Sequence, residues 1–357
     1  MARLLVTGGA GFIGANFVHY WLAEHPGDRL LVLDALTYAG NLTNLKAVAA
    51  RAEYRFVHGD ICDTGLVEQL LRDERLDTIV HFAAESHVDR SIEGPDAFVQ
   101  TNVVGTHSML KAARRVWLEE STVPTHRFHH VSTDEVYGSL GPDDPPFTET
   151  TPYAPNSPYS ATKAASDHLV RAYHHTYGLQ TSISNCSNNY GPFQFAEKLI
   201  PLMIAQLLVG KSLPVYGDGR NIRDWLHVED HCRGIDAVLK RGMPGETYNI
   251  GGRSECENID LVRRLCAILD DCVGSDSELR QRFPDCAVAH GEISERLVRY
   301  VKDRPGHDRR YAIDCTKIER ACAFGPRISL EDGLRRTLSW YLDRADTLRT
   351  GWQRSIA

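Results

Sequence analysis

Two carboxylates stand side by side in the stretch Ser132-Thr133-Asp134-Glu135-Val136-Tyr137-Gly138. They follow an apolar run, Phe128 to Val131, that reads as a buried strand with a polar turn opening at Ser132. In open parallel sheets ligands bind beyond the carboxyl ends of the strands, so an acid pair there can act on a bound molecule. Adjacent carboxylates in a closed site raise one another's pKa, which lets one stay protonated while the other is a base. Further along comes Ser157-Pro158-Tyr159-Ser160-Ala161-Thr162-Lys163. Ser157 is a good N-cap and Pro158 a good first helical residue. Tyr159 and Lys163 then lie four apart on one helix face. An ammonium beside a phenol favours the phenolate, giving a base for an alcohol proton. Either piece alone also fits a solvated loop or an exposed Tyr–Lys pair, so the context must come from the elements around them.

The first such element is Arg3 to Thr7, a short apolar strand running into Gly8-Gly9-Ala10-Gly11-Phe12-Ile13-Gly14 and then a helix marked by Ile13, Phe17 and Trp21. Gly8, Gly11 and Gly14 meet the need for a tight turn, a close backbone approach to a pyrophosphate and close helix–strand packing. The helix N-terminus would face the phosphates. A second strand, Arg29 to Leu33, ends in Asp34, twenty residues after Gly14. A carboxylate there accepts ribose hydroxyls and repels a 2′-phosphate, and Ala35 and Leu36 offer no cation to hold one, so NAD is expected over NADP. Tyr54 to His58 and Thr78 to Phe82 are further strands. Asp60 after the third can reach an adenine or can cap a helix; both readings stay open. From Ala97 the chain reads as one long helix whose stripe is Val103, Thr106, Leu110, Ala113 and Trp117. This helix and the Tyr159 helix, which ends near Gly178, would either pair with a second subunit or bury their stripes within one.

Thr181 to Asn185 is a sixth strand, after which the alternation of strand and helix loses its regularity. Asn188 to Pro192 reads as a turn cluster, Lys198 to Leu208 as a helix, Val215 to Gly219 as a turn and His227 to Lys240 as a helix. Thr247 to Ile250 is a strand and Ile259 to Leu269 a helix. Residues 273–297 look loop-like. A last helix opens at Ser329 and Asp332 and runs to about Leu342, with a fraying polar tail beyond it. The expected fold is α/β: a Rossmann-type doubly wound parallel sheet over residues 1–186 carrying the catalytic residues, a smaller mixed α/β substrate domain over 187–343 with some crossing of the chain between the two, and a tail over 344–357.

His227 and His231 are four apart, but Val228 stands where a zinc protease needs Glu, and no third ligand is evident, so no metal is expected. Asp303 to Arg310 is strongly polar, and its arginines read as a phosphate clamp. The net charge of −7 advertises no nucleic-acid or anionic-membrane partner. No apolar run nears the ~20 residues of a membrane span. Nine cysteines without a CxxC pair and without a signal peptide point to a cytoplasmic protein with reduced thiols.

In this order the pieces resemble the extended short-chain dehydrogenase/reductase superfamily, and within it the dTDP-glucose 4,6-dehydratase family. The matching stretches are TGGAGFIG from Thr7, HFAAESHVDRSI from His81, STDEVYG from Ser132, YSATK from Tyr159, SNNYGPFQFAEKLIP from Ser187, IRDWLHVEDH from Ile222, ETYNIGG from Glu246 and DRPGHDRRYAID from Asp303. The acid pair separates this family from sister epimerases, which usually lack it. Residues 273–297 exceed the usual connection. The resemblance implies NAD-dependent loss of water from a nucleoside-diphosphate hexose, most simply dTDP-glucose, to give the 4-keto-6-deoxy sugar for deoxysugar biosynthesis (a hydro-lyase, EC 4.2.1.46). A UDP-sugar dehydratase, and a 4-epimerase or decarboxylase on the same fold, are the alternatives. It implies Thr133, Asp134, Glu135, Tyr159 and Lys163 as catalytic. Gly8, Gly11, Phe12, Ile13, Gly14, Asp34, Leu36, Thr37, Asp60, Ile61, Phe82, Ala83, Ala84, Ser86, Thr101 and Asn189 would line the cofactor with Tyr159 and Lys163. Ser86, Thr133, Asn188, Glu197, Lys198, Leu199, Pro214, Tyr216, Arg223, Asn258, Asp303, Arg304 and His307 would hold the sugar nucleotide. It also implies a homodimer through a four-helix bundle.

Overall fold

The computed structural model describes residues 1–121, 123–303 and 306–356, with residues 346–356 described by backbone alone. Its strands are β1 (Arg3–Thr7), β2 (Arg29–Asp34), β3 (Tyr54–His58), β4 (Thr78–His81), β5 (Arg127–Thr133), β6 (Thr181–Cys186), β7 (Asn188–Tyr190), β8 (Leu213–Tyr216), β9 (Ile222–His227), β10 (Thr247–Ile250), β11 (Glu255–Glu257) and β12 (Val298–Val301). Seven of them form one parallel sheet in the order β10-β6-β5-β4-β1-β2-β3. The order reverses beside β1, which pairs with β2 on one side and β4 on the other. That reversal is the crevice where doubly wound folds bind ligands.

The central strands are apolar because both faces are covered. Leu4 and Val6 of β1 enter one core with the helix Phe12–Glu24, while Leu5 points into a second core with Met109, Leu110, Val116 and Trp117. The expected stripe of Thr106, Leu110, Ala113 and Trp117 is therefore buried inside the subunit. The long helix itself alternates α-helical turns (Pro95–Phe98, Thr106–Ala113) with π-helical ones (Val99–Gly105, Arg114–Glu119).

A third core gathers Tyr190, Ile200, Ile204, Leu261, Leu265, Leu334, Leu338 and Tyr341. Around it stand the sheet β11-β9-β7 and the pair β12-β8. The chain crosses between the two bodies beyond Cys186. The helix Val228–Arg241 packs Ile235 and Val238 into the first core, and β10 completes the large sheet. Arg310 and Ile313 then form bridges with Leu140 and Phe147 of the loop after β5.

Several boundaries differ from those expected. β4 stops at His81 rather than Phe82, and β5 continues through Ser132 and Thr133 because both pair with β6. Asn188–Tyr190 is a strand rather than a turn, paired with β9. Residues 273–297 are largely helical: Ser277–Arg282 and the short turns Ala287–His290 and Ser294–Leu297 follow the helix Asn258–Ser275. Phe283, Cys286 and Ala287 anchor them in the third core. The last helix runs Leu330–Ile356, well past Leu342.

Candidate active site

The carboxyl ends of β1, β2, β4, β5 and β6 open into one cleft. At β1, Gly8 turns with φ +67°, and a Cβ there would lie 2.7 Å from the Ala83 nitrogen. A Cβ on Gly14 would stand 2.3 Å from the Gly8 oxygen. Both positions therefore require glycine, which seats the helix Phe12–Glu24 hard against the turn. That helix carries no side-chain cap and no acid in its first turn, so its first N–H groups are left for an anion. Asp34, at the end of β2, accepts from the nitrogens of Ala10 (2.9 Å) and Leu36 (2.8 Å). A carboxylate held in place by two backbone donors, beside a bare helix N-terminus, suits a ribose and a pyrophosphate. Ala83 and Ala84 leave room above β4, and Phe82 packs on Phe17. Asp60 accepts from the nitrogen of Cys62 at 2.8 Å, closing a turn ahead of the helix Thr64–Asp73, whose cap is Asp63, and Ile61 is buried. Asn189 donates to the Ser187 oxygen and pairs through Oδ1 with Nδ1 of His231, bracing the turn. Thr37 accepts from the nitrogen of Gly40, and Thr101 sits half-buried in the π-helical stretch.

Thr133 ends β5 and caps the short turn Asp134–Tyr137, its hydroxyl accepting from the nitrogen of Glu135. Asp134 is 2% exposed, and its Oδ2 is buried with no hydrogen-bond partner. Burial first, then the charge of Glu135, holds its carboxyl well above the usual range. Both influences favour its protonated form, the form that can donate. Facing this pair, Ser157 and Ser160 form a reciprocal capping box at the start of the helix Pro158–Tyr177. That helix carries both Tyr159 and Lys163, and both are buried. Burial and then Glu135 push the Tyr159 phenol up, while its hydrogen bond to Thr133 pulls the other way. The expectation that Lys163 lowers the phenol is not met in the protein alone. The Lys163 ammonium donates to the Val131 oxygen at 2.8 Å, and burial lowers its own pKa.

The expected sugar-nucleotide residues fall into three groups. Ser86, Glu197 and Lys198 meet at the cleft mouth: Lys198 Nζ donates to the Ser86 oxygen, and Glu197 accepts from Arg90 at 3.0 Å. Leu199 starts the following helix. Tyr216 of β8 lies edge-on to His307, whose Nδ1 is 2.6 Å from Asp303 Oδ1. Pro214 is in the same strand, and Asn258 opens the helix Asn258–Ser275. Asn188 at the head of β7 and Asn258 each keep a buried amide oxygen with no hydrogen-bond partner among the described residues. Arg223 of β9 lies 4.4 Å from the Tyr311 ring and donates to the Asp308 oxygen. Arg304 lies outside the described residues. Arg309 and Arg310 pair with Asp218 and Glu255, at 3.0 and 2.7 Å.

Three residues at the site escaped the reading of the sequence. Tyr311 is raised by burial and then by Glu135, which places it beside the acid pair, with its hydroxyl on Asp308. Asp224 adds to the negative field on Asp134. All three fall inside stretches quoted above as matching, but only the return of the chain to β5 brings them to the acids.

The model of the GDP-mannose 4,6 dehydratase family matches residues 5–337. A dTDP-glucose 4,6-dehydratase of Xanthomonas campestris pv. campestris (strain B100) is 56% identical over 344 residues, 96% of this chain and 93% of that one. The dTDP-glucose 4,6-dehydratase 1 of Escherichia coli (strain K12) is 49% identical over 98% of this chain and 96% of its own. The chain belongs to the dTDP-glucose 4,6-dehydratase family. Among solved structures, the family member from Streptomyces venezuelae with NAD and TYD bound superposes with a TM-score of 0.84 at 49% identity, covering 99% of each chain. A UDP-glucuronic acid 4-epimerase from Bacillus cereus reaches a TM-score of 0.81 at 26% identity, covering 96% of this chain and 99% of its own. Dehydratases and epimerases thus share this architecture, and the acid pair after β5 carries the distinction drawn from the sequence. Among the described residues no helix is long and apolar enough to cross a membrane.

Proposed function

We propose that this chain is an NAD-dependent hydro-lyase that converts dTDP-glucose to dTDP-4-keto-6-deoxy-glucose. Family membership and the NAD-bound relatives support the reaction class, and the buried Asp134, its carboxyl held well above the usual range beside Glu135, carries the mechanism. The glycine turn and Asp34 would hold NAD, which would supply a positively charged ring as hydride acceptor for carbon 4 and, once reduced, as hydride donor to carbon 6. Tyr159 takes the proton of the 4-hydroxyl, its phenolate favoured by the hydrogen bond from Thr133 and by the positive ring the bound cofactor would bring. Thr133 hydrogen-bonds the same oxygen. A ketone at carbon 4 makes the proton on carbon 5 acidic, and Glu135 removes it. Asp134 then gives its proton to the departing 6-hydroxyl, so water leaves with charge balanced. Glu135 returns a proton to carbon 5 once hydride has reached carbon 6. Placing the acid and the base on consecutive residues of one turn puts both on the same side of the sugar.

A homodimer fits the outer face of the helix pair, where Val99, Val104 and Tyr177 remain exposed outside the buried stripe. Sedimentation as a single-chain species would count against it. All nine cysteines are free thiols, which suits a cytoplasmic enzyme.

The test uses dTDP-glucose deuterated at carbon 4. The label should appear in the product's methyl group, with loss of water seen by mass spectrometry. Deuterium kept at carbon 4 with no mass lost would mean epimerisation, and loss of carbon dioxide would mean decarboxylation. A preference for UDP-glucose over dTDP-glucose in the same assay would move the substrate but not the chemistry.

A further inference from the structure

Asp167 lies in the helix Pro158–Tyr177, one turn beyond Lys163, and is fully buried. Its Oδ2 accepts from Ser132 Oγ at 2.9 Å, Tyr153 OH at 2.9 Å and Asn185 Nδ2 at 3.4 Å. Its Oδ1 stands 3.3 Å from His130 Nε2, within ion-pair range though not aligned as a hydrogen bond. These contacts converge on the strand that delivers the acid pair. Ser132 immediately precedes Thr133, Asn185 donates to the Thr133 oxygen at 3.0 Å, and Lys163 donates to the Val131 oxygen. Three consecutive residues of β5 are thereby tied to one carboxylate and its neighbouring ammonium.

A buried carboxylate is costly unless it is paired and hydrogen-bonded, so its use here calls for a reason that a neutral amide would not serve. Lys163 supplies one. It is faced by Tyr159 and Asp167 from its own helix, by Cys186 of β6 and by the imidazoles of His81 and His130 on β4 and β5. Burial keeps the thiol and both imidazoles neutral. Asp167, further faced by Tyr153, is pushed up by burial only to about 6, with Lys163 the first opposing influence. It is therefore the ionised partner in this set at neutral pH.

We propose that Asp167 is a positioning residue: it fixes the acid pair of β5 against the Tyr159–Lys163 face of its own helix and keeps the Lys163 ammonium charged. The inference rests on the dehydratase reading. The test compares kcat, KM and the pH dependence of kcat for dTDP-glucose in wild-type, Asp167→Asn and Ser132→Ala protein. Misplacement of reacting groups by even an ångström costs roughly 10²-fold, so Asp167→Asn should lose about that much in kcat with KM little changed. Its alkaline limb should move to lower pH, because the ammonium loses its proton more readily without the carboxylate. Ser132→Ala keeps the charge and loses one tether; with a hydrogen bond worth about 0.5–1.5 kcal/mol, it should lose roughly two- to tenfold in kcat with the alkaline limb unmoved. Wild-type kcat in a folded Asp167→Asn protein, or a lower kcat with an unmoved limb, would overturn the inference alone. If Asp167→Asn does not fold, wild-type kcat in Ser132→Ala overturns it. Absence of dehydrated product from wild-type protein would overturn the dehydratase reading and this inference with it.

Discussion

At the residue scale the site turns on two neighbouring carboxyls made unlike by their surroundings. Asp134 is buried beside Glu135, and burial and that neighbour's charge hold its carboxyl well above the usual range. An unfolded aspartate ionises near pH 3.9, so above that pH the native chain keeps a proton that the unfolded chain has released. Stability from this group is full in acid and is lost as the pH rises through the raised native value. Asp134→Asn cannot ionise, and its melting temperature should fall less than the wild type's between mildly acidic and mildly alkaline buffer; parallel slopes would show that Asp134 is not perturbed. The same variant should lose dehydration by roughly 10²–10⁴-fold while still exchanging the carbon 5 proton with deuterated water. Tyr159→Phe should lose a similar factor, roughly 10²–10⁴-fold, with KM little changed, as steady-state kinetics would record. Both pairs were legible in the sequence because their partners are near in the chain: Thr133, Asp134 and Glu135 are consecutive, and Tyr159 and Lys163 are one helical turn apart. The phenol's raised pKa was not legible, since it depends on burial and on Glu135 arriving from another strand. Nor was Tyr311, which reaches the acids only through the bridges of Arg310 and Ile313 to the β5 loop.

At the scale of elements, one helix start governs where the base sits. Ser157 accepts from the Ser160 nitrogen, and Ser160 answers at the Ser157 nitrogen. Two residues past the cap stands Tyr159. Ser157→Ala should cost about 1 kcal/mol, read as a lower urea midpoint with an unchanged slope, and should lower turnover as the first turn frays. The far end of this helix stops on Gly178 in the left-handed region, φ 76°, as its sequence suggested. Local signals of this kind made the strand–turn–helix units readable. They failed where pairing or packing across the chain decides the outcome. β5 runs on through Ser132 and Thr133 because β6 pairs with both. Residues 273–297 fold into short helices because Phe283, Cys286 and Ala287 find a core built by other segments. The apolar stripe of the long helix fitted either an inner or an outer face until Met109, Leu110 and Trp117 were seen against the sheet.

At the scale of the molecule, the two bodies are interleaved rather than strung in series. β6 is buried along its whole length and sits between β5 and β10. A fragment ending at Cys186 would leave the β6 edge unpaired, and such edges recruit other chains. Fragment 1–186 should therefore aggregate or melt without cooperativity, whereas a monomeric, cooperatively melting, NAD-binding fragment would show that the first body is self-sufficient. The return of residues 310–313 to the loop after β5 carries this further. During synthesis the acid pair leaves the ribosome long before the segment that ties down its loop. Until that segment follows, the nascent chain holds a glycine turn and an acid pair but no finished enclosure around them. Premature termination anywhere before it would leave the acids without their enclosure, so the chemistry waits on a segment made long after the acids themselves.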